Sequence, residues 1–127
     1  MGWEVEYTNH FETWWETLTE DEQETVAAHV AMLELTGTNL RFPYSSDIRG
    51  SKYRNLRELR IQHKGKALRI LYAFDPRRIA ILLIGGDKVG DERSSETFMP
   101  LAEKLYAVHL HTLQTEDIRI WQKHSTN

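Results

Sequence analysis

Cysteine is absent from the 127 residues. That excludes a disulfide framework, a thiolate nucleophile and a zinc–thiolate site, and it suits a reducing compartment. No apolar run approaches the roughly 18 residues of a membrane span. The N-terminal MGWEVEYTNH also lacks the basic-then-apolar pattern of a secretory leader. The expectation is a soluble, cytoplasmic protein with no membrane partner. Neither G-x-x-x-x-G-K-[ST] nor G-x-G-x-x-G occurs, so no nucleotide loop of a known spacing is present. Lysine and arginine are missing from residues 1–40, which carry nine acids.

The missing cations are concentrated further on. Residues 41–93 hold thirteen basic side chains against six acids, while the whole chain has a net charge of −3. A basic middle third on an acidic scaffold is the distribution expected of one local anion site, or of surface charge segregated by chance. Length and an apolar fraction of 40% imply one domain with one modest core.

WEVEYT (3–8) alternates Trp3, Val5 and Tyr7 with polar residues, the pattern of a half-buried strand. NHFETWWETL predicts a short helix with Phe11, Trp14, Trp15 and Leu18 inward. Thr19 and Glu22 form a T-x-x-E capping box that opens a second helix to about Leu35, ended by Gly37. Residues 38–55 are a loop rich in Ser, Gly and Arg. Three strands follow, LRELRIQ (56–62), ALRILYAF (67–74) and IAILLI (79–84), joined at hairpin length by HKGK and DPRR. TFMPLAEKLYAVHLHTL (97–113) predicts a last helix with Pro100 in its first turn, and a polar tail occupies 114–127. The fold class is α+β: a small antiparallel sheet in β-α-α-β-β-β-α order, packed by two N-terminal helices and one C-terminal helix.

A turn about Lys64-Gly65 pairs residues whose numbers sum to 129. Leu59 then faces Ile70 and Ile61 faces Leu68 on the core side. On the other side Arg60 lies opposite Arg69, and Glu58 opposite Leu71. Two arginines facing each other repel. A bound anion, a nearby carboxylate such as Glu58, or exposure of both heads to solvent would each relieve them. The planar guanidinium fork matches phosphate. GGDKVGDERSSETF (85–98) leaves the third strand and could bring Lys88 and Arg93 to the same place, or could be an ordinary glycine turn. The six histidines have no chelating spacing: His109 and His111 point to different sides of a helix, so no metal and no cofactor is expected.

The block DIRGSKYRNLRELRIQHKGKALRILYAFDPRRIAILLIGGDKVGD, continued by FMPLAEKLYAVHL, resembles the HigB-like branch of the RelE/ParE superfamily of bacterial toxins, in particular its phage-derived group. The similarity runs to about Leu113, which makes 1–113 one RelE-like toxin domain. The resemblance implies the toxin of a type II toxin–antitoxin pair. Such a toxin is a metal-independent endoribonuclease that cleaves messenger RNA on the ribosome, inhibits translation, and is neutralised by a helix-turn-helix antitoxin of HigA type. By position, Arg60, Arg69, Lys88 and Arg93 match the catalytic cationic cluster, and Lys52, Arg54, Arg57 and Lys66 are expected contacts to RNA, ribosomal RNA included. The 2′-hydroxyl would attack the adjacent phosphate, with Arg60 and Arg69 stabilising the transition-state charge.

The chain departs from the branch after Arg93. Relatives tend to carry R-[FW]-Y-E, whereas Ser94, Ser95 and Glu96 stand here. Glu58, His63 and Glu96 remain as acid–base candidates. Two further readings follow: a catalytically impaired homologue that binds its antitoxin or the ribosome, and a gyrase inhibitor of ParE type.

Overall fold

The computed structural model describes residues 2–87 and 93–125, with side chains described in 2–87 and 98–115. The order is β1 (Val5–Tyr7), α1 (Asn9–Thr17), α2 (Glu20–Thr36), a 3-10 turn (Gly37–Asn39), β2 (Ser45–Asp47), β3 (Leu56–His63), β4 (Lys66–Phe74), β5 (Ala80–Asp87) and α3 (Arg93–Ser125). The strands form one sheet in the order β1-β5-β4-β3-β2.

The helix starts follow from local chemistry. The Thr8 hydroxyl caps α1 by accepting from the Phe11 N–H at 3.1 Å. The capping box of α2 is complete: Thr19 accepts from the Glu22 N–H, and the Glu22 carboxylate accepts from the Thr19 N–H. Gly37 ends α2 at φ 60, where a Cβ would also lie 2.1 Å from the Trp3 ring.

The central hairpin has the expected register. Leu59 faces Ile70, Ile61 faces Leu68, Arg60 faces Arg69 and Glu58 faces Leu71. Lys64 and Gly65 both take positive φ, 47 and 80, the backbone of a two-residue turn whose twist suits the strands.

The sheet is mixed, not purely antiparallel, because β1 pairs parallel with β5. Alternation reveals that WEVEYT is a strand but not its neighbour. That pairing is made only after α1, α2 and three strands have intervened. A further strand, β2, lies inside the expected 38–55 loop. It is three residues long, and what it buries is Ser45, whose hydroxyl shares a hydrogen bond with the Tyr72 hydroxyl at 2.6 Å. No apolar alternation marks it. The last helix is longer than expected: α3 begins at Arg93, so Pro100 sits inside it, and it continues to Ser125 through most of the expected tail.

Helices cover both sides of the sheet. Against α1 and α2 lie Leu59, Ile61, Leu68, Ile70, Tyr72 and Leu82, packed with Phe11, Val26 and Leu33. Against α3 lie Leu56, Leu71, Ala73, Ile81 and Leu83, packed with Ala102 and Tyr106. β4 and β5 are therefore buried on both faces, which explains their nearly continuous apolar runs.

Candidate active site

The α3 side of the sheet is apolar only at one end. Toward the hairpin turn it carries Glu58, Arg60 and Arg69. Arg60 pairs with Arg69, and Arg69 pairs with Gly86. Continuing the β2–β3 register by one residue places Tyr44 across from Arg60, and the Arg60 N–H donates to the Tyr44 carbonyl at 2.8 Å. Arg60, Arg69 and Gly86 thus form one row across three strands, and Tyr44, just before β2, continues it at the edge.

The two arginines differ in surroundings. Arg69 is 2% exposed. Its guanidinium lies 3.5 Å from the Glu58 carboxylate and 4.9 Å from the centre of the Phe98 ring. Phe98 comes from α3 and rests over Gly86, where a Cβ would stand 2.3 Å from the ring. Arg60 is half-buried, and its guanidinium lies over the Phe42 ring at 4.9 Å. Of the three ways to relieve the arginine pair, the carboxylate thus serves Arg69. Arg60 takes the face of an aromatic ring at the open edge. Rings flank the charges at both ends of the row, an arrangement that can hold a phosphate between cations and a base against a ring.

Other candidates fall elsewhere. Lys88 lies outside the described residues. Arg93 opens α3, and its side chain, like those of Ser94, Ser95 and Glu96, is outside the described side chains. Lys66 stands at the hairpin end on the α2 side, donating to Glu22 at 2.9 Å and 3.4 Å from Asp87; these carboxylates raise its pKa, Glu22 first. Arg57 donates to the Ser45 hydroxyl at 3.0 Å, to the Leu40 carbonyl, and to Asp47, so it pins β2 to β3. Lys52 and Arg54 are exposed in the loop before β3, with Lys52 over the Tyr53 ring. That loop is tied to α3. The Lys52 N–H and the Ser51 hydroxyl both donate to Glu103, which lowers its pKa.

His63 cannot serve the arginine row. It points to the α2 side, with Nδ1 2.7 Å from the Thr25 hydroxyl and Nε2 3.4 Å from Asp21, which also pairs with Lys64. This Thr–His–Asp line latches the hairpin to α2. Among the described groups, Glu58 is the acid–base candidate that shares the arginines' side.

A second charged cluster was not visible in DPRR. Asp75 is buried and accepts from Arg77 Nε and Nη2, at 3.0 and 2.6 Å, and lies 2.8 Å from His109 Nε2 on α3. Burial pushes its carboxyl up, but hydrogen bonds from Arg77, His109 and nearby backbone N–H groups outweigh that and hold it below the ordinary carboxylate range. Arg77 also bridges to Glu6 at 2.7 Å, so the cluster pins α3, the β4–β5 turn and β1 together. Among the described residues, no group of three His, Asp or Glu side chains is placed to hold a metal ion, and no helix is long and apolar enough to cross a membrane.

The fold is that of RelE. The E. coli toxin RelE in its free, arginine-substituted form matches with a TM-score of 0.54 at 13% identity, covering 76% of this chain and 94% of that one. RelE of the archaeal RelE–RelB complex from Pyrococcus horikoshii matches with 0.53 at 13% identity, covering 72% and 100%. The model of the family described as phage-derived protein Gp49-like (DUF891) matches residues 13–107. A toxin candidate of Mycobacterium tuberculosis, HigB3, is 38% identical over 94 residues, which are 73% of this chain and 81% of that protein. A second from the same organism, HigB2, is 34% identical over 126 residues, 94% of this chain but 59% of that longer protein. The chain belongs to the phage-derived Gp49-like family and is a relative of HigB3 and HigB2, with the fold of RelE.

Proposed function

We propose that this protein is the toxin of a type II toxin–antitoxin pair and acts in the cytoplasm by cleaving messenger RNA on the ribosome. The observation that carries the reading is the Arg60–Arg69 cross-strand pair, flanked by rings and backed by Glu58. In the reaction, the RNA 2′-oxygen bonds to the adjacent phosphorus and the bond to the leaving 5′-oxygen breaks. The half-buried Arg60 meets the phosphate from the open side, and Arg69 adds charge from beneath. Each such donor is worth about 3 kcal/mol of transition-state stabilisation. Glu58 accepts the proton of the 2′-hydroxyl. Lys88 and Arg93 complete the cationic cluster, with Lys88 returning a proton to the leaving oxygen. Lys52 and Arg54 contact ribosomal RNA, while Arg57 and Lys66 act first as structural pins. The neutralising partner is a helix-turn-helix antitoxin of HigA type.

Induced expression tests this. Wild type arrests growth and cuts translated messenger RNA, and Arg60→Ala relieves both while melting like wild type. Equal toxicity from Arg60→Ala would remove Arg60 from the reaction. DNA-damage signalling without RNA cleavage would favour gyrase inhibition instead.

One observation favours a second reading, a non-catalytic homologue that retains antitoxin or ribosome binding: Ser94 and Ser95 stand where the branch carries an aromatic pair. It predicts antitoxin binding without cleavage, and a large gain of toxicity in Ser95→Tyr.

A further inference from the structure

We infer that Phe42 and Tyr44 form a stacking platform for a base of single-stranded RNA, next to the phosphate position at Arg60; the inference rests on the function proposed above. Phe42 is 70% exposed and Tyr44 45% exposed. Neither ring contributes to the two cores. Their backbone is nonetheless held firmly. The N–H groups of Tyr44 and Ser45 both donate to the Arg41 carbonyl, at 3.0 and 3.1 Å, and the Tyr44 carbonyl accepts from Arg60. Immediately after them, Ser45 is buried against Tyr72 and Arg57. The rings therefore stand on a turn anchored at both ends.

Their position gives them a partner. Tyr44 lies one residue before β2, and its carbonyl accepts from the N–H of Arg60, the strand neighbour of Arg69. The Arg60 guanidinium covers part of Phe42, and the rest of that ring is open to solvent. Arg41, also exposed, precedes them. Two open rings among arginines suit a ligand with flat apolar faces and negative charge in alternation, which describes a single strand of nucleic acid with its bases unstacked. A protein partner seated by apolar contact would be better met by rings among aliphatic neighbours.

The test uses the full chain, a short fluorescent oligoribonucleotide, the same oligonucleotide with abasic positions, and messenger RNA cleavage in a reconstituted translation system. Phe42→Ala and Tyr44→Ala are each expected to weaken oligoribonucleotide binding by roughly ten-fold and to lower cleavage, with the salt dependence of binding unchanged. Phe42→Trp is expected to retain affinity, and the abasic oligonucleotide to lose discrimination between wild type and Phe42→Ala. Arg60→Ala should instead flatten the salt dependence. Wild-type affinity and cleavage in both ring variants, with loss in Arg60→Ala, would overturn the platform and leave the phosphate reading standing. Loss of antitoxin binding alone in the ring variants would assign the surface to a protein and overturn it too. Neither binding nor cleavage by the wild type would overturn the inference together with the proposed function.

Discussion

The two sides of the sheet are finished in different ways. Beneath α1 and α2, the central pairs of the hairpin, Leu59 with Ile70 and Ile61 with Leu68, close on Phe11, Val26 and Leu33, and polar side chains take over only at the turn, where His63 and Lys66 reach Thr25 and Glu22. Beneath α3, the same two strands are apolar from Leu56 to Ala73 but give way to Glu58, Arg60 and Arg69 toward the turn. The period of two along β3 and β4 makes this possible, since alternate residues serve different layers. A cationic site can be built on one side because the other side already supplies a core opposite it, Leu59, Ile61, Leu68 and Ile70. Each side also has a carboxylate latch: Glu22 to Thr19 and Lys66 on the first, Asp75 to Arg77 and His109 on the second.

The sharpest way to separate the two sides is to truncate neighbours that point in opposite directions. Arg60→Ala is expected to lower messenger RNA cleavage by about 10²–10³-fold, read by primer extension on a translated message, with little change in melting temperature. Leu59→Ala should do the reverse. It empties a fully buried position, so a loss of about 2–5 kcal/mol is expected in urea denaturation, with cleavage per folded molecule retained.

Asp75→Asn is expected to cost about 2–3 kcal/mol, because Arg77 and His109 lose a buried charged acceptor. Hydrogen exchange should show α3 loosened before α2.

The adjacent glycines give a finer comparison. A Cβ on Gly85 would stand 2.2 Å from Trp14 of α1, and one on Gly86 2.3 Å from Phe98 of α3. Either alanine should destabilise the fold by about 1–3 kcal/mol through overpacking. Only Gly86→Ala, by displacing Phe98 from Arg69, should also lower cleavage. Equal loss of activity in both would mean that the two sides are not separable at β5.

Acid probes the first side more gently. The Thr19 N–H, and after it Lys66, hold the Glu22 carboxyl down at about 2. Its folded pKa lies below the unfolded value, so its contribution is complete above about pH 4.5 and is lost as pH falls toward 2. The melting temperature of Glu22→Gln should therefore vary less with pH across that window than that of wild type.

Much of this was legible in the residues. The Lys64-Gly65 turn set the hairpin register, and the register brought Arg60 to Arg69 from numbers alone. Thr19 and Glu22 marked their helix start because capping is local chemistry. What escaped depended on contacts between distant segments. Nothing in WEVEYT names β5 as its parallel neighbour, and nothing in SSD marks a strand whose inward residue is a serine. Phe98 over Arg69 and His109 on Asp75 both required the placement of α3. Tyr44 could have been found by extending the β3 pairing outward, had the short β2 been recognised. Lys88 follows the end of β5, which is what pointed to it beside the arginines, with its role taken from the resemblance; it lies outside the described residues.

Gly85 and Gly86 carry a mechanical consequence. At these two positions the sheet has no side-chain thickness, so only one strand of main chain separates the layer of α1 from the layer of α3. Trp14 bears on it from one side and Phe98 from the other. A side chain added at either position would have main chain behind it and a ring in front, so the helix that carries the ring, α1 for one glycine and α3 for the other, is what would have to move.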